Sequence, residues 1–291
     1  MTIKIITDSA CDMPKALIEE YGVEIMPLYI MQGNTSFKDG VDITPDRLYS
    51  EMRKGEHFST SQIPYSDFVS TFTRHAEAGE AFINLSFSSG LSGTYQTAML
   101  ALRDVKEKYP EVPMAVLDTK AVTGGLGMIV TKVAEAASKG ADFESLVAYS
   151  EKLSTQIRHV LTVTNLEYLY RGGRLNKGTA MVGNLLNIYP LLEVDESGEL
   201  QNIDKARGEK KLIKKMVDYV AKNMQNPEKQ EMYIAHADNM ALVEMFIKIA
   251  HKHHIDPKMI EIMTLAPIIG THTGPGSLTV FFFENEIIEM S

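Results

Sequence analysis

The sequence lacks the features that mark secreted and membrane proteins. It has no tryptophan and a single cysteine, Cys11, which by itself forms neither an intramolecular disulfide nor a zinc site. No run of about 18 apolar residues could span a membrane. The N-terminal stretch MTIKIITDSA is too short and too quickly polar for a signal peptide. We therefore expect Cys11 to be a small buried residue of a cytoplasmic protein.

Positive charge is scarce as well. The 291 residues include 29 Lys and Arg against 38 Asp and Glu, and the formal net charge of −9 argues against general binding to nucleic acid or anionic membranes. The sequence contains no helix-turn-helix pattern, no GxxxxGK[ST] stretch and no protein-kinase signature set. A DNA-binding regulator and a self-contained kinase are both disfavoured.

The order of predicted elements indicates an α/β protein. Four short apolar runs, spaced by segments of helical periodicity, predict strands over Thr2–Ile6, Val23–Met31, Ala81–Leu85 and Met114–Leu117. Strands that alternate with helices form parallel sheets, so we predict a three-layer α/β/α domain over residues 1–156.

The pattern changes in the second half of the chain. Ile188–Val194 and Glu199–Ala206 flank a turn and predict a β-hairpin, and three further strands follow among helices. Hairpins mixed with crossovers predict a second α/β domain, residues 157–291, with a mixed sheet and helices largely on one face.

A loop rich in hydroxyl groups follows the predicted strand Ala81–Leu85. Within nine residues it contains Ser86, Ser88, Ser89, Ser92 and Thr94 together with Gly90 and Gly93. A helix is predicted from Tyr95, so the loop joins the carboxyl end of a strand to a helix N-terminus, where α/β proteins bind small anions. The alternative is that one serine caps the helix and the others form a turn.

Four other patterns each have a structural alternative. Asp8-Ser9 and Ser59–Gln62 precede helices and are either ligand groups or helix caps. Gly125-Leu126-Gly127 is half of a dinucleotide fingerprint, for which close helix packing is the favoured explanation. The histidines from His251 to His254 end a predicted helix, which favours an exposed surface over a metal site.

Seven segments occur in an order that resembles the DegV family. They are TDSACDMP, FKDGVDI, TSQIPYSDF from Thr60, SSGLSGTYQ from Ser88, LYRGGRL from Leu169, KARGEKK from Lys205 and IGTHTGPGSL from Ile269. The resemblance covers about residue 3 to residue 283. One departure is Ile63-Pro64-Tyr65, where many members of the family read Pro-Ser-Pro; the hydroxyl pair before it is retained.

The resemblance implies a fatty-acid-binding protein that serves as the acyl-carrying subunit of a bacterial fatty acid kinase. It implies two α/β domains, with the acyl chain of a long-chain fatty acid in a tunnel and its carboxylate near the cleft between the domains. Its expected partners are the fatty acid, a separate ATP-dependent kinase subunit that forms the acyl-phosphate and, transiently, membrane enzymes of phospholipid metabolism. No nucleic acid partner, no metal and no other cofactor is implied.

The family motifs also indicate the site residues. Thr60, Ser61, Ser92 and His272 are the candidates for binding the carboxylate. Arg174 and Arg207 are the candidates for the phosphoryl or partner side, although the basic stretch around Arg207 has the alternative of a solvated surface.

Ser92 and His272 are expected to converge. His272 lies in GTHTGPG between two predicted strands, so we expect its ring at a strand end facing the cleft. The rival function is a serine hydrolase that acts on acyl esters through Ser92 and His272, because Gly90-Leu91-Ser92-Gly93-Thr94 is close to a nucleophile elbow. Thr94 at the second glycine position disfavours it.

Overall fold

The computed structural model describes residues 3–175, 187–288 and 290. The strands are β1 (Lys4–Asp8), β2 (Glu24–Met26), β3 (Tyr29–Gln32), β4 (Thr35–Lys38), β5 (Ser59–Ser61), β6 (Phe82–Ser86), β7 (Met114–Asp118), β8 (Ile157–Thr162), β9 (Ile188–Val194), β10 (Leu200–Arg207), β11 (Glu231–His236), β12 (Met259–Thr264) and β13 (Leu278–Phe283). The helices are α1 (Lys15–Tyr21), α2 (Pro45–Arg53), α3 (Tyr65–Glu77), α4 (Thr94–Lys108), α5 (Thr123–Ser138), α6 (Phe143–Gln156), α7 (Glu167–Arg171), α8 (Glu209–Asn223), α9 (Met240–Lys252) and α10 (Pro267–Thr273).

The first half of the chain is built on a parallel four-stranded sheet with the order β2-β1-β6-β7. All five residues of β6 are buried, as the apolar run of a parallel strand requires. The predicted alternation of strands and helices is therefore confirmed, although Thr2 lies outside the described residues. The parallel arrangement brings the carboxyl ends of β1, β6 and β7 to one edge of the sheet.

One predicted strand is wrong. The run Val23–Met31 is two strands, β2 and β3, which belong to different sheets and are separated by Pro27 and Leu28. Proline cannot donate to a strand ladder, so the chain leaves the parallel sheet at this point. It then forms a small antiparallel sheet with the order β4-β3-β5, in which Thr60 pairs with Ile30.

The second half forms a mixed six-stranded sheet with the order β10-β9-β8-β13-β11-β12. The hairpin of β9 and β10 is antiparallel, as predicted, and β11 pairs in parallel with β12. Helices α8 and α9 pack together over a core beside this sheet. The predicted domain boundary at residues 156 and 157 falls between α6 and β8 and stays a prediction.

Helix α5 lies between the two larger sheets and contacts strands of both. Three glycines allow this close packing. A Cβ atom on Gly124 would overlap the ring of Phe281, one on Gly125 would overlap the ring of His159, and one on Gly127 would overlap the carbonyl of Cys11. The glycine pattern thus serves helix packing, as expected, and one hydrophobic core runs through both halves of the chain.

Within the ranges given above, no helix is both long enough and apolar enough to cross a membrane.

Candidate functional site

A cavity of about 330 Å³ lies between the two halves of the chain. Most of its wall is apolar and comes from Ala10, Leu28, Phe87, Leu91, Val122, Leu161, Leu169, Leu200, Ile268 and Ile269. The polar groups that line it are Thr60, Ser61, Gln62, Ser92, Thr123, Arg174, His272, Thr273 and Thr279. Its volume is at the lower end of the range of small-molecule sites, about 300 to 1,000 Å³.

Five of the six predicted site residues line this cavity. Thr60, Ser61, Ser92 and His272, the four candidates for the carboxylate, meet there together with Arg174. The sixth, Arg207, does not line it. Arg207 is exposed at the far end of β10 from Leu200, and seven steps of about 3.3 Å each separate these two residues by roughly 23 Å.

His272 is presented by a helix. We expected its ring at a strand end, but it lies in the last turn of α10, between β12 and β13. Its Nε2 atom is 2.7 Å from the hydroxyl oxygen of Thr60, which projects from β5. The cluster before α3 is thus a strand and not a helix cap: Pro64 occupies the cap position, and no side chain bonds there.

The other nitrogen of the His272 ring is buried. Nδ1 has no hydrogen-bond partner within the described residues, and a Cβ atom added to Gly172 would overlap it. Burial, and then the positive charge of Arg174, lower the pKa of His272 to about 3. The imidazole is therefore neutral at physiological pH, with one donor and one acceptor nitrogen.

Arg174 is the only side chain with a formal charge among the described residues that line the cavity. Its Nε atom donates to the carbonyl of Leu91 at 2.9 Å, and one terminal nitrogen donates to the carbonyl of Gly172 at 2.5 Å. No acidic side chain of the described residues forms an ion pair with it, and burial lowers its pKa. A guanidinium has five N–H groups, so donors remain for an anion.

The hydroxyl loop supplies one hydroxyl to the cavity wall, from Ser92. Ser92 also accepts from the backbone N–H of Thr94 at 3.2 Å, at the start of α4. The other serines bond to protein groups: Ser86 donates to Asn84, Ser88 donates to the carbonyl of Gly198 in the β9–β10 turn, and Ser89 accepts from Lys120. Most of the hydroxyl-rich pattern therefore builds the loop and the contact between the two halves.

The contacts of a serine hydrolase are missing from the described residues. Ser92 bonds to Thr94, and His272 bonds to Thr60. A general-base histidine needs a group that orients its second nitrogen, and Nδ1 of His272 has none. The hydrolase therefore finds no support in this geometry.

Two further sequence patterns, Asp8-Ser9 and the histidines from His251 to His254, have structural roles. Asp8 caps the short 3-10 helix Ser9–Cys11 and accepts from the backbone N–H of Ala10 at 3.2 Å. His251 is exposed and bonds to Asp256 at 2.6 Å. The described part of the chain holds no group of three or more His, Cys, Asp or Glu side chains that could bind a metal ion.

Some residues of the cavity were not predicted from the sequence. Gln62, whose amide donates to the hydroxyl of Thr97 at 2.8 Å, forms part of the wall beside Ser61. Thr273 lies within the motif IGTHTGPGSL and Thr279 within β13, but neither was singled out as a site residue. Gly172 stands in LYRGGRL, and that glycine pair was the available signal for a close contact.

The fold and the cavity together define an α/β protein that encloses an apolar pocket with a polar end between two sheets. A sequence model described as "Uncharacterised protein, DegV family" matches residues 2–285. A DegV domain-containing protein of Clostridium perfringens is 35% identical over 281 residues, which is 96% of each chain. The chain belongs to the DegV family.

Solved structures show the same fold. A DegV family protein from Thermus thermophilus, reported for its fatty acid binding, superposes with a TM-score of 0.88 at 28% identity and covers 97% of this chain and 99% of its own. A protein from Thermotoga maritima, reported to reveal a fatty acid binding function, has a TM-score of 0.83 at 27% identity and covers 97% and 99%.

Proposed function

We propose that this protein binds a long-chain fatty acid, with the acyl chain in the apolar cavity and the carboxylate at its polar end. One observation carries the proposal. The cavity has an apolar wall, a cluster of hydroxyl groups and a single charged side chain, Arg174, that has no acidic partner among the described residues. This combination suits a ligand with a long apolar part and one negative charge. The two solved relatives reported to bind fatty acids support it.

The tautomer of His272 fits this ligand. A proton on Nδ1 would be a buried donor without an acceptor in a ring whose pKa the positive charge of Arg174 already lowers. The proton is therefore assigned to Nε2, which donates to the oxygen of Thr60. The hydroxyl hydrogen of Thr60 is then free to donate to a carboxylate, and Arg174 compensates the negative charge.

The energetics are consistent with tight binding. Burial of a chain of about 16 carbons at about 0.8 kcal/mol per methylene contributes roughly 12 kcal/mol. Association costs of several kcal/mol are subtracted from this sum. Apolar contact then supplies affinity, while the polar end supplies selectivity for an acid.

We further propose that the protein is a non-catalytic subunit that presents the carboxylate to a separate ATP-dependent kinase in the cytoplasm, which converts it to an acyl-phosphate. The position of Arg207 supports a surface for the kinase partner that lies away from the cavity. It is exposed, belongs to the basic stretch Lys205–Lys211 of an acidic protein, and forms no ion pair within the described residues. Transient contact with membrane enzymes would supply or collect the acyl group.

The test compares two ligands that differ only in the head group. The delipidated protein is titrated with palmitate and with 1-hexadecanol, and the Thr60→Val variant is titrated in parallel. We expect palmitate to bind more tightly by about 10-fold or more, and the variant, which retains Arg174, to lose part of this preference. Equal affinity for acid and alcohol in the parent protein would refute the carboxylate site, and no binding of either would refute the apolar cavity as a lipid site.

A further inference from the structure

We propose that Asp12 and Asp39, which do not line the cavity, are positioning residues that hold helix α10 so that His272 reaches Thr60. The inference rests on the proposed function, because it concerns the residue assigned to the carboxylate. It adds two acids from the first half of the chain, the buried Asp39 and the partly buried Asp12, that act only through the helix.

Both acids bond to the beginning of α10. Asp12 Oδ1 accepts from the backbone N–H of Ala266 at 2.9 Å, and Asp39 Oδ1 accepts from the backbone N–H of Ile268 at 3.0 Å. Tyr49 adds a third bond and donates from its hydroxyl to the carbonyl of Leu265 at 3.0 Å. The helix that carries His272 is thus fixed at its start by groups more than 200 residues away in sequence.

The length of the helix makes these bonds decisive. α10 has seven residues, and an isolated helix of fewer than about 12 is marginal in water. The first N–H groups of a helix have no partner inside it and need an external acceptor. Ile268 and His272 are four residues apart and therefore lie on the same side of the helix, one turn from each other. A shift at the Asp39 bond is transmitted directly to the imidazole.

A contribution to stability alone does not explain why Asp12 and Asp39 are carboxyl groups. Neither forms an ion pair with a Lys or Arg of the described residues, and Asp39 Oδ2 is buried there without a hydrogen-bond partner. The other oxygen of Asp12 accepts from the hydroxyl of Thr123. Burying an uncompensated carboxylate is unfavourable. Burial raises the pKa of each acid to about 7, and either protonation state keeps an oxygen that accepts from the backbone.

The experiment compares variants that differ in the acceptor. Asp39→Asn keeps a carbonyl oxygen for the N–H of Ile268, whereas Asp39→Leu keeps the branched side chain of four heavy atoms and loses the acceptor. Asp142→Ala is the matched control: Asp142 caps α6 by accepting from the N–H of Ser145 at 2.8 Å, and α6 contributes no described residue to the cavity. Each variant is also made in a His272→Ala background, and palmitate affinity is measured for all.

We expect Asp39→Leu to lower palmitate affinity about 10-fold, while Asp39→Asn and Asp142→Ala stay within about 2-fold of the parent protein. The ring resonances of His272 should move in the ligand-free Asp39→Leu protein and stay unchanged in the control. In the His272→Ala background, Asp39→Leu should have no additional effect, because its effect passes through that ring.

Three results decide the matter. If His272→Ala weakens binding but Asp39→Leu does not, or if the two effects are additive, the positioning role is wrong and the proposed function stands. If His272→Ala itself has no effect, the carboxylate site is wrong and this inference falls with it. Should Asp39→Leu not fold, Asp12→Gly against Asp12→Asn gives the same comparison, since Asp12 has a φ of 43° that glycine adopts without strain.

Discussion

The hydroxyl oxygen of Thr60 and the Nε2 atom of His272 lie 2.7 Å apart, although 212 residues separate them in sequence. Thr60 is the middle residue of a three-residue strand, and His272 lies in the last turn of a seven-residue helix. Neither element is stable by itself. The two side chains therefore approach each other only when both halves of the chain are folded and packed together. Both residues line the polar end of the cavity.

Gly172 should control the position of the His272 ring. A side chain at this position would overlap Nδ1, so Gly172→Ala should displace the imidazole and weaken palmitate binding by about 10-fold or more. Gly173→Ala is the control, because no atom lies within 4 Å of a Cβ there. Its φ of +71° makes that substitution cost about 1 kcal/mol of stability while the affinity is kept. Equal binding by both variants would contradict the assigned contact.

Arg174 should supply the attraction for the negative charge. Arg174→Met keeps much of the side-chain length but removes the cation, and we expect palmitate affinity to fall by about 10- to 150-fold with little change for 1-hexadecanol. Arg171→Met is the matched control, since the Arg171 guanidinium is exposed and packs on the ring of Tyr168. Isothermal titration with palmitate and with 1-hexadecanol measures both affinities for each variant. A parallel loss for acid and alcohol would mean that Arg174 only shapes the wall.

Arg207 should matter to the partner and not to the ligand. Because it lies outside the cavity, Arg207→Ala should leave palmitate affinity unchanged and lower the rate of acyl-phosphate formation with the kinase subunit about 10-fold or more. The control is Lys214→Ala, which removes an exposed cation on α8. An unchanged rate with Arg207→Ala would assign the basic stretch to a solvated surface.

The buried carboxyl of Asp39 should make stability depend on pH. Burial raises its pKa to about 7, and Asp8 also faces it and raises the pKa. The folded state holds this proton more tightly than the unfolded chain, so its stabilisation is complete below about pH 4 and is lost as the pH rises to about 7. Relative to Asp39→Asn, the parent protein should lose up to about 1.4 kcal/mol of unfolding free energy per pH unit in this window.

Urea unfolding at intervals from about pH 4 to about pH 8 measures this difference. The comparison cancels titrating groups that do not interact with Asp39, among them His272 and His159, whose lowered pKa values act in the opposite direction. Asp8 and Asp12, whose charges interact with that of Asp39, contribute to the measured difference. If the unfolding free energies of the parent protein and Asp39→Asn stay parallel across this pH range, Asp39 is not a buried acid with a raised pKa.

Local sequence patterns were sufficient to predict the main sheets and most of the helices. The buried run of β6 and the hairpin of β9 and β10 follow from apolar periodicity, which is set by near neighbours. The break at Pro27 has a local signal, the missing N–H of proline, which the apolar run Val23–Met31 obscures. The strand β5 depends on pairing with β3, about 30 residues earlier, so local periodicity does not predict it. For the same reason His272 was assigned to a strand end: the start of α10 is fixed by Asp12 and Asp39.

The candidate site could be assembled in part. The family motifs indicated Thr60, Ser61, Ser92, Arg174 and His272, and these residues line one cavity. What the motifs could not show is which hydroxyl groups face the ligand. Ser86, Ser88, Ser89 and Ser92 share one sequence context, yet among these four only Ser92 lines the cavity. Ser88 and Ser89 bond to Gly198 and Lys120, which the folded chain brings near, whereas Ser86 bonds to Asn84, two residues away.

The most direct test of the account is to identify what the purified protein contains. The protein is isolated without detergent, its intact mass is measured under native conditions, and the organic extract of the denatured protein is analysed by mass spectrometry. We predict one non-covalently bound fatty acid per chain, lost on denaturation, and greatly reduced occupancy in a Leu161→Arg variant that places a charge in the apolar wall. An extract without any acyl species, from a protein that also fails to bind added palmitate, would contradict the central claim.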